Sequence, residues 1–264
     1  GNLTPDFYVV NTMQPPYQPS AVPPAPGGDA AYADPANAAT LPPQTTPTIG
    51  DLLSQKKVSW AWYGGAWQAT LTAGHQVGAF QFHHQAFNYF ATFAPGTPAR
   101  EEHLRDGGLG GSAFFKAIDA GTLPDVVFYK PQGTLNEHPG YADLQSGDQH
   151  IADVIAHLEK SPQWAHMVVV VTYDENGGFW DHVAPPRGDR WGPGSRVPAI
   201  IASPFAKRGF VDHTPYDTGS ILRLITARFG LPTLPGLELR DKAVAAAGGR
   251  RLGDLTAALT LPRR

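Results

Sequence analysis

Apolar positions gather into a few short runs, separated by long stretches rich in glycine, proline and polar residues. The strongest run is Val168–Val171, four consecutive valines after Met167 that leave no polar face. Such a run predicts a strand buried on both sides of a sheet. It ends in Thr172-Tyr173, and the adjacent carboxylates Asp174 and Glu175 follow at its carboxyl end, before the turn signal Asn176-Gly177-Gly178. Val58–Tyr63 predicts another strand, ending at Gly64-Gly65. A short helix precedes it, with Thr48 as cap, Asp51 in the first turn, and Ile49, Leu52 and Leu53 on one side. Asp125–Tyr129 predicts a buried strand that leaves through Lys130-Pro131 into the loop Asn136-Glu137-His138-Pro139-Gly140-Tyr141, at the same sheet edge as Asp174. Pro198–Ser203 predicts one more.

Helical spacing appears from about Gly147 to Lys160, where Ile151, Val154, Ile155 and Leu158 recur three and four residues apart. This helix is expected to cross between the strands at 126 and 168, with His150 and His157 at its surface or boundary. Ser112 is expected to cap a helix with Phe114, Phe115 and Ile118 inward. Thr214-Pro215-Tyr216-Asp217 opens another, with a buried stripe of Ile221, Leu222, Leu224, Ile225 and Phe229 and a stop at Gly230. Helices alternating with strands predict an α/β fold.

The remaining segments read as connections. Prolines crowd residues 14–47 and forbid regular structure there. Met13, Tyr17, Tyr32 and Leu41 are expected to anchor this loop. Phe7–Val10 is a strand or a pocket wall, residues 94–111 a charged loop, and 185–194 a loop carrying Arg187 and Arg190. The stretch after Leu231 is a short, basic, alanine-rich tail. Trp60, Trp62 and Trp67 belong to the core, unless those near Gly64-Gly65 line a pocket. In Phe80-Gln81-Phe82-His83-His84-Gln85, adjacent histidines on a continuing strand would point to opposite faces, one structural and one functional, the alternative being an ordinary surface pair.

Composition narrows the function classes. A net charge of −3 over 264 residues gives no basic field for general nucleic-acid binding. Cysteine is absent, which excludes disulfides and thiolate metal sites. No apolar run approaches the roughly 18 residues of a membrane span. No GxGxxG or GxxxxGK[ST] loop is present. Two carboxylates side by side at a strand end repel each other and lose hydration, and a cation relieves both effects. The alternative is an Asx-turn at Asp174 with Glu175 in water.

The stretch TYDENGGFWDHVAPP resembles the signature of the phosphoesterase family that joins bacterial acid phosphatases with phosphatidylcholine-type phospholipases C. GNLTPDFYVVNTMQPPYQP, WAWYGGAW, FQFHHQAFNYF and NEHPGY resemble segments of the acid phosphatases in particular. The resemblance implies an alkaline-phosphatase-like three-layer α/β sandwich and hydrolysis of phosphate monoesters. Alternatives are a phospholipase C, a non-catalytic relative that binds a phosphorylated ligand, and a sulfatase- or phosphonate-type esterase, which these segments disfavour. Asp174 and Glu175 would match the family's metal-binding pair, and His83, His84 and His138 its active-site histidines. His182 would pair with Asp181 without ligating. The cofactor would be one divalent ion: Ca²⁺, Mg²⁺ or Mn²⁺ on oxygen ligands, Zn²⁺ or Fe with added histidine.

No segment matches the family's N-terminal Glu-Asn metal motif or its serine/threonine nucleophile. Thr172 and Ser203 lie near strand ends but outside any such match. The chain is therefore expected to be the C-terminal part of one phosphoesterase domain. An N-terminal segment, in the same chain or a separate one, would complete its sheet beside 168–173. The resemblance also implies a periplasmic or secreted protein.

Overall fold

The structure, a computed structural model, describes residues 14–186, 188 and 193–260. Phe7–Val10, Met13, Arg187 and Arg190 lie outside the described residues. The chain forms two compact units, one of Gly1–Thr46 with Ser59–Ser161, the other of Pro47–Val58 with Pro162–Arg264. In chain order the helices and strands are α1 (Ile49–Gln55), β1 (Trp60–Gly65), α2 (Trp67–Ala73), α3 (Pro98–His103), β2 (Leu104–Gly108), α4 (Ser112–Asp119), β3 (Val126–Lys130), α5 (Leu144–Lys160), β4 (Val169–Thr172), β5 (Ala199–Ala202), α6 (Gly219–Phe229) and α7 (Pro235–Ala246). This is a mixed α/β architecture.

The first unit is built on a parallel sheet of order β2-β1-β3. Side chains alternate across it, and aromatic residues fill both faces. On one face Trp60 stacks on His103 at 4.1 Å and packs against Phe87 and Phe93, while Trp62 stacks on Phe128. On the other, Phe114 of α4 stacks on Tyr129 at 4.1 Å and tilts against Tyr63. Gly65 ends β1 because the exit of β3 comes so close that a Cβ there would overlap the backbone of Gln132.

The expected charged loop at 94–111 instead holds α3 and the edge strand β2. Thr97 caps α3 by accepting from Arg100 N, with Pro98 at its first position. Gly107 belongs in β2 because a side chain would press on the Gly64 backbone and the Tyr129 ring, each 3.1 Å from the Cβ position. The Pro-rich stretch is tied down at its ends. Asn88 donates to Tyr17 O and Arg100 to Gln18 O, each at 3.0 Å, while Gln44 exchanges backbone bonds with Tyr89 and Ala91. Tyr17 and Leu41 are buried, and Tyr32 is half-exposed with its ring edge-on to Tyr17.

In the second unit, Thr48 and Asp51 form a capping box on α1. β4 pairs antiparallel with β5, Val170 opposite Ile201. The valines are half-buried rather than enclosed on both faces, and Ile200 is 62% exposed. β3 and β4 therefore hydrogen-bond in different sheets, not in the single one expected. Helix α6 starts at Gly219, later than the Thr214 cap suggested, because residues 212–217 bond among themselves. Thr214 N and the Tyr216 hydroxyl both donate to Asp212. The Asp217 carboxylate is held by Arg223 and Arg240. Beyond Leu231 the chain forms α7, with Leu237 and Val244 buried.

Candidate functional site

An open parallel sheet of order 2-1-3 has its topological switch between strands 1 and 3, and ligands settle outside the carboxyl ends of the strands there. In the first unit that edge is formed by Gly64-Gly65 of β1 and the loop after β3. The residues that follow α2 reach it through short 3₁₀ turns, Phe82–His84 and Ala86–Tyr89, instead of the strand end expected for the histidine pair. The pair still divides in two. His84 is buried, its carbonyl accepting from the Trp62 indole at 2.8 Å, and His83 is half-buried with its ring edge-on to His84 at 4.9 Å.

The loop after β3 brings the third histidine to the same cluster. Asn136 Oδ1 accepts from His138 N at 3.0 Å, which orients the amide. Asn136 Nδ2 then faces the Tyr141 hydroxyl at 3.3 Å and His84 Nε2 at 3.4 Å. That nitrogen only donates, so it can meet His84 Nε2 as an acceptor. The His138 ring is exposed and stacks on Tyr141 at 4.7 Å. His84 and His138 are thus linked through Asn136 and Tyr141, and His83 adjoins them through its ring contact with His84.

Gln85 adds a wholly buried amide at this edge. Neither of its polar atoms is hydrogen-bonded among the described residues, and a Cβ on Gly64 would lie 3.4 Å from its Nε2. Leaving such a group unsatisfied costs about 1–3 kcal/mol, so the edge is strongly polar beneath its aromatic packing. The sequence reading did not single out Asn136, Tyr141 or Gln85 for chemistry. Their placement beside histidine-bearing segments was the available signal.

His150, expected at the surface, is buried instead. Its Nε2 meets the Tyr129 hydroxyl at 2.8 Å, and burial lowers its pKa and raises that of Tyr129. His157 is the ordinary boundary residue, stacked on Phe115 and paired with Asp119 at 2.7 Å.

In the second unit, Asp174 and Glu175 stand exposed just past β4, and Glu175 Oε2 accepts from Gly177 N at 2.6 Å. Adjacent solvent-facing carboxylates are hard oxygen donors. They fit a divalent cation as two of its ligands. Among the described residues no group of three or more His, Asp or Glu side chains is gathered around one point. His182 stays exposed, 3.9 Å from Asp181. The partner of Asp181 is Arg196, which grips both carboxylate oxygens at 2.9 and 3.0 Å. With Val183 N, it holds the Asp181 pKa down at about 2.

A parallel α/β sheet whose switch point is lined with histidine and amide side chains is the geometry at which α/β proteins take ligands. The chain belongs to the Phosphoesterase family, whose model matches residues 9–232. It is 33% identical over 159 residues to phospholipase C B of Mycobacterium tuberculosis, covering 51% of this chain and 29% of that one. To the non-hemolytic phospholipase C of Pseudomonas aeruginosa it is 28% identical over 204 residues, 65% of this chain and 28% of that one. To non-specific phospholipase C6 of Arabidopsis thaliana it is 30% identical over 181 residues, 57% and 34% of the two chains. The chain spans about a quarter to a third of the length of these relatives. Among the described residues, no helix is long and apolar enough to cross a membrane.

Proposed function

We propose that this chain carries part of the active site of a metal-dependent phosphoric ester hydrolase, acting on phosphate monoesters. Membership of the Phosphoesterase family over residues 9–232 is the observation that carries the reading. The histidine cluster at the carboxyl edge of β1 and β3 supports it. Cleavage of a phosphate ester needs hydrogen-bond donors on the equatorial oxygens and a nucleophile in line with the leaving group. The exposed His138 ring is placed to meet a phosphoryl oxygen or to protonate a leaving alkoxide. Asn136 and Tyr141 hold that ring and His84 in fixed orientation. Asp174 and Glu175 would hold the divalent cation, which supplies positive charge to the phosphoryl group and lowers the pKa of a coordinated hydroxyl.

The nucleophile is assigned to no residue of this chain. The proposal places it, with the remaining metal ligands, in a further segment that also completes an alkaline-phosphatase-like sandwich. The greater length of the relatives supports that assignment. We also propose a periplasmic or secreted protein, as the family resemblance implies.

A second reading, phospholipase C, is favoured by the names of the relatives. Side-by-side assays of the complete gene product on p-nitrophenyl phosphate and phosphatidylcholine separate the two. Release of p-nitrophenol supports the monoesterase. Turnover of the lipid alone overturns it in favour of the phospholipase. Turnover of neither removes the hydrolase reading.

A further inference from the structure

Between Asn136 and His138 lies a residue with a different environment. Glu137 is buried, and its backbone is left-handed at φ 64°, a conformation that disfavours side chains other than glycine, asparagine and aspartate. Its neighbours in sequence turn toward His84 and solvent, while Glu137 turns inward onto α5. The contact there is a built cradle. Gly147, in the first turns of that 17-residue helix, is buried, and a Cβ on it would overlap Glu137 Cγ and stand 3.0 Å from Oε1. Strain at φ, burial of an acid and a glycine-shaped recess all serve one contact, which a loose surface loop would not need.

We propose that Glu137 is a positioning residue. By seating in the Gly147 recess of α5, it fixes the loop that aims His138 at the phosphoryl group. This inference rests on the reading of His138 as a phosphate-facing group. Glu137 itself touches no substrate. Its effect passes through the backbone of the 136–138 turn, where Asn136 Oδ1 accepts from His138 N and Asn136 Nδ2 reaches His84 and Tyr141. A shift of an ångström at such a turn is enough to cost a large factor in rate.

The test is kinetic, on p-nitrophenyl phosphate with the complete gene product. Glu137→Ala and Gly147→Ala disturb the same contact from its two sides, and each should lower kcat about tenfold or more with little change in KM. Glu137→Gln keeps the shape and should recover kcat to within about threefold. In a His138→Ala background, Glu137→Ala and Gly147→Ala should cost almost nothing further, because the group they aim is gone. A merely structural role would lower the melting temperature yet leave kcat of the folded fraction and this non-additivity unmoved. Should Glu137→Ala fail to fold, Gly147→Ala, which keeps every charge, carries the test. Normal kcat in folded Gly147→Ala, or full additivity with His138→Ala, overturns the inference. Normal kinetics in His138→Ala alone would instead overturn the reading on which it rests.

Discussion

Replacing Asn88 by alanine should release the Pro-rich loop from the first unit. Asn88 is wholly buried and works at both ends of its amide, donating to Tyr17 O at 3.0 Å and accepting from Arg100 Nη1 at 2.6 Å. Arg100 is buried as well. It also donates to the carbonyls of Phe93 and Gln18, at 3.1 and 3.0 Å, and burial already lowers its pKa. The substitution removes one hydrogen bond to a charged group, worth about 1.5–3 kcal/mol, and one neutral bond, worth about 1 kcal/mol. It also leaves the guanidinium less well compensated. We expect a loss of about 3 kcal/mol, a fall in Tm of roughly 6–12 °C for a unit of this size. Chymotrypsin should then cut after Tyr32 much faster than in wild type, since among the described residues the loop has no other anchor of comparable burial and polarity near that end. Thermal denaturation and timed proteolysis measure both effects. A change under about 1 kcal/mol with unaltered cleavage at Tyr32 would refute the network as the loop's anchor.

Two further outcomes follow from the geometry. Burial lowers the pKa of His150 in the folded chain, so the unfolded chain takes up the proton first as pH falls. Stability from this group is therefore full above about pH 6.5 and declines below it, by at most about 1.4 kcal/mol per pH unit; equal Tm at pH 7.5 and 5.5, after correction by His150→Leu, would contradict this. Asp174→Ala should abolish bound metal and phosphatase activity together while leaving Tm nearly unchanged, because the side chain is exposed. Elemental analysis showing full metal content in that variant would remove Asp174 from the cation's ligands.

The strands with strong apolar or aromatic runs were legible in the sequence, as were the Thr48 cap and the α5 period. What escaped were elements whose patterns are set by close backbone approach. Leu104–Gly108 reads as a loop because Gly107 and Gly108 dilute it, yet the Gly64 backbone and the Tyr129 ring leave no room for a side chain at 107. His150 carried a usable signal. It lies four residues before Val154 and eight before Leu158, on the buried stripe, and its polarity alone suggested the surface. The reading of Val168–Val171 as enclosed followed from its composition, but composition does not tell which strands flank it. Asn136 and Gln85 carry no periodicity, so only the fold reveals that one bridges His84 to Tyr141 and the other sits under Gly64.

The histidine cluster at the switch point is the centre of the functional account, and His138 is its exposed member. The most direct test is the steady-state rate of the complete gene product carrying His138→Ala on p-nitrophenyl phosphate, with bound metal measured on the same sample. Loss of a positioned acid–base or phosphoryl-binding group predicts kcat/KM lower by about 10²–10⁴ with metal content and Tm retained. A variant with wild-type kcat/KM would contradict the assignment of this edge as the site of phosphoryl chemistry.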